Sequence, residues 1–290
     1  MPETNYVSPA KVEDAVAALA AANGDARILA GGTDLIVQMR SGSVRPRLIV
    51  DIKRIDETRQ ITAKDGAFTI GAAVTGAELS ASSDFRDAWP GIVEAMDLIG
   101  SQQIQGRASP GGNLCNASPA ADSAPALIAA GAVCNIAGPG GRRAIPAEEM
   151  VLAPGRTALE TGEFLVSFDI PKPAPRTGDA YLRLIPRTEM DIAVVGAAVC
   201  LSVDDGGVCK AAKVVLGAVA PTQVIVPDGA AALVGTSLDE TALEKLATAA
   251  SAACDPVNDK RGTIEYRKKV AGVLARRAAV KAMGRATARS

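Results

Sequence analysis

The period of the apolar positions changes along the chain, and each change marks a new expected element. Val12, Ala15, Val16 and Leu19 recur at helical spacing, with Ser8-Pro9 before them as cap and first-turn proline and Gly24 as the stop. Residues 27–30 and 48–52 read as short strands and the apolar run 35–39 between them as a helix, so a small β-α-β unit is expected. From about Arg59 the period shortens to two: residues 60–62 and 68–70 flank Lys64-Asp65-Gly66 in a hairpin pattern. Thr75 is placed to cap a helix through Leu79, and residues 90–100 carry Ile92, Val93, Met96 and Ile99 at helical spacing. Residues 124–130 predict a helix, 133–136 and 164–170 strands, and Pro171, Pro173 and Pro175 a stiff linker.

Beyond the linker, residues 181–185, 192–203 and 209–219 read as β-branched strands, the last two joined by the turn Asp204-Asp205-Gly206-Gly207. Helices follow over 239–252, capped by Ser237 or Asp239, and over about 259–286, which sets Val270, Val273, Leu274 and Ala278 against a basic face. The pattern is α+β. Expected boundaries are 1–175, with subdomains of about 1–57 and 58–175, and 176–290.

Composition narrows the chemistry. With 290 residues, a net charge of -1 and 48% hydrophobic residues, the chain is long enough to bury a core without staples. It has no histidine, which removes Ser-His-Asp and Cys-His pairs and HExxH zinc sites. Cys115, Cys134, Cys200, Cys209 and Cys254 show no CxxC and no iron-sulfur run, and read as free thiols in a reducing compartment. Residues 1–15 mix Glu3, Lys11, Glu13 and Asp14 with apolar residues, so no targeting segment is expected and a cytoplasmic location is. The uncharged stretch 123–141 is broken by Pro125, Asn135 and Pro139, which argues against a membrane span. Near-neutral charge and 3% aromatics argue against nucleic acid; the basic stretch around Lys268, Lys269, Arg276 and Arg277 reads as an exposed or subunit-facing surface.

Two glycine-paired segments remain, Ala30-Gly31-Gly32-Thr33-Asp34 and Ser109-Pro110-Gly111-Gly112-Asn113. Paired glycines let main-chain N–H groups approach a phosphate with no Cβ in the way. Neither is a Walker A, and no Gly-x-Gly-x-x-Gly is present. Alone, each is compatible with an ordinary turn; together they suggest two halves of one diphosphate cradle.

Ala30-Gly31-Gly32-Thr33-Asp34-Leu35, the run Gly111-Gly112-Asn113-Leu114-Cys115-Asn116-Ala117-Ser118-Pro119-Ala120-Ala121-Asp122 and Met190-Asp191-Ile192-Ala193 resemble the FAD-binding medium subunit of the xanthine dehydrogenase and carbon monoxide dehydrogenase family of molybdenum hydroxylases. The likeness covers nearly the whole chain. It implies an FAD domain of two subdomains, of the p-cresol methylhydroxylase and vanillyl-alcohol oxidase type, followed by a small C-terminal domain of antiparallel sheet and helices. It implies FAD contacts from Leu29, Ala30, Gly31, Gly32, Thr33, Asp34, Leu35 and Ile36, and from Ser109, Gly111, Gly112 and Asn113. Asp122 is implied near the ribose, Arg183 as a basic contact, Leu165 as a flavin-facing position and Ile192 against the isoalloxazine ring. Asp34 is equally placed to cap the following helix.

Two departures stand out. Pro110 supplies no N–H where the family often has Thr-Ile or Ser-Val, so Gly111 and Gly112 are expected to carry that side. Thr33-Asp34 and Ile192 stand where carbon monoxide dehydrogenases tend to carry a histidine and an aromatic, which is nearer the xanthine dehydrogenase pattern and discounts carbon monoxide as substrate; a molybdenum hydroxylase acting on an aldehyde or N-heterocycle is expected. The resemblance further implies a small iron-sulfur subunit and a large molybdopterin subunit as partners, in an (αβγ)2 assembly, with electrons leaving through FAD to an external acceptor. A stand-alone flavin oxidoreductase of the same FAD-domain type, or a scaffold subunit that no longer holds FAD, remain as alternatives.

Overall fold

The computed structural model describes residues 4–289, so the part of the N-terminal reading that falls on residues 1–3 lies outside it. The first unit comprises β1 (Asn5–Val7), α1 (Val12–Ala21), β2 (Ala26–Leu29), α2 (Leu35–Ser41) and β3 (Leu48–Asp51). Its strands are parallel in the order β1-β3-β2, with Leu29 opposite Asp51, so β2-α2-β3 is the expected β-α-β unit. The expected start of the first helix is corrected: α1 begins at Val12 behind Lys11. Pairing of Val7 with Val50 holds the chain in a strand up to Val7, and Ser8-Pro9 is used in leading out of it.

The second unit runs through β4 (Ile61–Lys64), β5 (Ala67–Gly71), α3 (Gly76–Ala81), α4 (Ser83–Ala88), α5 (Pro90–Asp97), α6 (Gln102–Gln105), α7 (Pro110–Cys115), α8 (Ser123–Ala129), β6 (Val133–Gly138), β7 (Gly141–Pro146), β8 (Val151–Ala153), β9 (Arg156–Thr157) and β10 (Phe164–Pro171). Five of these strands form an antiparallel sheet, β4-β5-β10-β6-β7, and β8 and β9 pair as a small ribbon. Thr75 caps α3 in a reciprocal capping box with Glu78, as its spacing predicts. The strand β7 escapes a sequence pattern search because its residues are largely exposed.

The third unit holds β11 (Thr177–Leu184), β12 (Val195–Val203), β13 (Cys209–Gly217), β14 (Val224–Ile225), α9 (Pro227–Leu233), α10 (Glu240–Ala252) and α11 (Ile264–Ala288). The strands are antiparallel in sequence order, covered by the helices. Two expected boundaries move. The second strand starts at Val195, leaving Ile192 in the preceding loop, and the last helix starts behind Thr263 because Asp259 accepts the N–H groups of Arg261 (2.8 Å) and Gly262 (3.2 Å) and holds a turn there.

These units share cores. Val12, Ala15 and Leu19 of α1 cluster with Ala137, Phe164 and Val166 of the five-stranded sheet, fixing the first unit against the second. Tyr181, Ala198 and Val215 join the core built around Leu127 and Phe168, tying the third unit to α8. The expected α+β class is the one that forms. The end of β2 is thereby held facing β10, with a cleft between them.

Candidate functional site

A cavity of about 680 Å³ is lined by both glycine segments and by the start of β10, a size typical of small-molecule sites. The segments touch. A Cβ on Gly31 would fall inside the contact distance of the Arg107 carbonyl oxygen, 2.7 Å from its carbonyl carbon and 3.1 Å from Ala108 Cα. Only glycine permits that approach. Gly111 is equally confined, since its Cβ would meet Ala72 Cβ at 2.7 Å, while Gly32 holds φ at +78°, a left-handed value. Across the same space Gln38 Nε2 of α2 donates to Asn116 Oδ1 just beyond α7, at 3.0 Å.

The second glycine segment is a helix rather than an open loop. Ser109 is the N-cap of α7, with Pro110 at its first position. Both glycine segments therefore present helix N-termini to the cavity, where unpaired N–H groups and the positive end of the helix dipole favour an anion. Among the described residues, the N–H groups of Gly31, Gly32, Thr33, Asp34, Leu35 and Gly111 donate to no protein acceptor. Gly112 differs from expectation: its N–H donates to Ser109 Oγ at 3.1 Å, so Gly111 is the open amide on that side. Asn113 adds a side-chain donor. The Ser123 N–H donates to Asn113 Oδ1 at 3.0 Å and the Ser123 hydroxyl at 2.7 Å, which fixes the amide orientation and leaves Nδ2 unengaged.

Arg27 brings a positive charge to the cavity wall, its Nη1 donating to the Ala26 carbonyl at 2.8 Å. Glu163 is neutralised by Arg143 at 2.6 Å, which holds the Glu163 carboxyl below its ordinary range. Asp34 makes no capping hydrogen bond; it faces the open cavity, where surrounding protein displaces part of its hydration and raises its pKa. Cys115, also on the wall, is pushed up to about 12 by desolvation and is an unreactive thiol. Main-chain donors of both segments, with the Arg27 guanidinium on the same wall, define the site, and a diphosphate fits them.

Residues 2–173 match the family of the FAD binding domain in molybdopterin dehydrogenase. The chain belongs to this family of FAD-binding medium subunits of molybdenum hydroxylases. Residues 180–282 match the CO dehydrogenase flavoprotein C-terminal domain. The medium subunit is 37% identical to the carbon monoxide dehydrogenase medium chain of Afipia carboxidovorans, over 97% of each chain. It is 36% identical to the xanthine dehydrogenase FAD-binding subunit of Escherichia coli O157:H7, over 76% of this chain and 75% of that one. The solved quinoline 2-oxidoreductase of Pseudomonas putida 86 superposes with a TM-score of 0.91 at 29% identity, covering 99% of both chains. This medium subunit is thus part of an FAD-dependent oxidoreductase, and its cofactor is FAD.

The cavity of the medium subunit gathers Ala30, Gly31, Gly32, Thr33, Asp34, Leu35, Ser109, Gly111, Gly112, Asn113 and Leu165. Five expected residues lie off its wall. Leu29 closes β2 beneath Gly32, and Ile36 stands 43% exposed on α2. Asp122 and Arg183 are bound to each other at 2.7 Å, with Tyr181 Oη donating to the other Asp122 oxygen at 2.8 Å. Ile192 is 54% exposed in a loop, its N–H donating to Asp191 Oδ1. Conversely, the segment from Gly155 to Phe164 forms a wall that sequence reasoning missed; with no glycine pair and no periodicity it reads as a plain connector. No helix among the described residues is long and apolar enough to cross a membrane.

Proposed function

We propose that this medium subunit binds the FAD diphosphate between its two glycine segments and passes electrons from iron-sulfur clusters on a small partner chain, via FAD, to an external acceptor. Molybdopterin belongs to a large partner chain in an (αβγ)2 assembly, located in the cytoplasm. Residues 1–175 form the FAD domain and 176–290 the C-terminal domain. The observation that carries this reading is the approach of Gly31 to Arg107, which sets open amides from two helix N-termini on one cavity. When bound, FAD supplies one- and two-electron redox chemistry.

The residues' part is to hold and shield. Gly31, Gly32, Thr33, Asp34, Leu35 and Gly111 offer main-chain N–H groups, Asn113 offers Nδ2, and Leu165 gives an apolar wall. Leu29 and Ile36 support the first segment, and Asp122, Arg183 and Ile192 are retained in the contact set through the family likeness. The five cysteines are free thiols without the closely spaced run that holds an iron-sulfur cluster. Flavin, iron and molybdenum analysis of the assembly, purified by a tag on this chain, tests the reading. One flavin per medium subunit, with iron and molybdenum on other chains, is expected. A flavin-loaded chain that turns over substrate with a dye and without partners would favour a stand-alone oxidoreductase.

A further inference from the structure

Lys53 stands outside the cavity, just beyond the end of β3, yet it reaches the first glycine segment. Its Nζ donates to the Ala30 carbonyl at 3.0 Å and to Asp51 Oδ1 at 2.8 Å. Asp51 is 6% exposed and also accepts the Lys53 N–H at 2.9 Å and the Tyr6 hydroxyl at 2.6 Å. Burial alone would raise the Asp51 carboxyl, but the hydrogen bonds from Lys53 and Tyr6 hold it below its ordinary range, so the chain of contacts is charged and fully engaged. Tyr6 lies on β1, Asp51 ends β3 and Ala30 follows β2. The contacts therefore cross the carboxyl ends of all three parallel strands, the side on which α/β sheets bind ligands.

We infer that Lys53 is a positioning residue for FAD, acting through the Ala30–Gly31 peptide. In a trans peptide the C=O and the following N–H point in opposite directions. Anchoring the Ala30 carbonyl on Lys53 turns it away from the cavity and aims the Gly31 N–H the other way. Without the anchor, that peptide is free to rotate and bring a carbonyl oxygen, the wrong end of the dipole, towards a diphosphate. Asp51 holds the ammonium in place, and Tyr6 holds Asp51. This inference rests on the cavity being the FAD site and adds a residue that does not line it.

The test uses the full chain, stripped of flavin and titrated with FAD while protein fluorescence and flavin absorbance are followed. K53M is expected to weaken FAD binding about tenfold or more, the usual consequence of losing a charged hydrogen bond. K53R, which keeps a charged donor, is expected to restore binding to within about threefold. K53Q, a neutral donor, should fall between, and it replaces K53M in the comparison if that variant does not fold. Melting temperatures of the flavin-free variants are recorded alongside. A purely structural role predicts lowered melting temperatures without a ranking of FAD affinities by donor strength, and that result would overturn the inference. So would wild-type affinity in both K53M and K53Q, which would leave the site itself intact. A wild-type chain that takes up no FAD would remove the site and this inference together.

Discussion

Arg183 Nη1 donates to Asp122 Oδ2 at 2.7 Å, joining the turn before α8 to β11 through side chains that are 4% and 9% exposed. Tyr181 closes the same carboxylate from its other side. Removing the carboxylate leaves a buried guanidinium without its counter-charge. Asp122→Ala should therefore destabilise the flavin-free chain by roughly 3–5 kcal/mol, measured by urea unfolding. A loss under about 1 kcal/mol would show that solvent reaches Arg183.

Asp179 gives the chain a pH dependence of definite sign. Burial is the main reason its carboxyl is pushed up to about 7, against the opposing pull of Arg285, Arg289 and the Gly91 N–H, with Glu94 adding a smaller upward push. The folded state then holds a proton that the unfolded chain, near its ordinary pKa of about 3.9, releases. The stabilisation from this group is full below about pH 4 and is lost as pH rises towards 7 and above. Oδ2 accepts the Gly91 N–H at 2.9 Å, while Oδ1 is buried with no partner. Asp179→Asn should match the wild type near pH 4.5 and exceed it by on the order of a kcal/mol at pH 8, in urea titrations at the two pH values.

The glycines of the two segments are not equivalent. Gly31→Ala and Gly111→Ala each drive a Cβ into backbone, at Arg107 and Ala72, and should reduce retained flavin below about one-tenth of wild type. Gly112→Ala meets only the Ser109 hydroxyl at 3.2 Å and gains helix propensity, so flavin content within about twofold of wild type is expected. Equal losses in all three would argue against close approach as the reason for glycine. Flavin absorbance per chain after gel filtration is the measurement.

Asn113→Asp separates binding from folding. The carboxylate still accepts from Ser123, so the start of α8 is preserved, but the Nδ2 donor becomes an acceptor beside a diphosphate. FAD affinity should fall about tenfold or more while the melting temperature of the flavin-free chain stays within a few degrees. Unchanged affinity would remove Asn113 from the contact set.

Much of this arrangement is legible in the sequence because local signals agree with the fold. The Asp65-Gly66 hairpin, the Thr75–Glu78 capping box and the β2-α2-β3 unit each follow from a few neighbouring residues. Features set by distant contacts are not legible. β1 consists of Asn5, Tyr6 and Val7, all exposed, and exists through its pairing with β3. Ser109-Pro110 is a helix-start signal, but the following Gly-Gly masks it as a loop, and the Gly112 amide is engaged by a cap only the folded turn creates. Asp122 is expected near the ribose, and its ion pair is not legible, because Arg183, 61 residues away, is brought to it only by the docking of β11. Leu165 lines the cavity, yet the wall preceding it carries no pattern of its own.

In the proposed function, open main-chain amides of two segments, held together by Gly31 against Arg107, grip one diphosphate. A crystal structure of the chain loaded with FAD measures this directly. Phosphate oxygens are expected within hydrogen-bond distance of the N–H groups in residues 31–35 and of the Gly111 N–H, with the Gly31–Arg107 approach retained. Phosphates bound away from either segment, or a cradle formed by one segment alone, would contradict it.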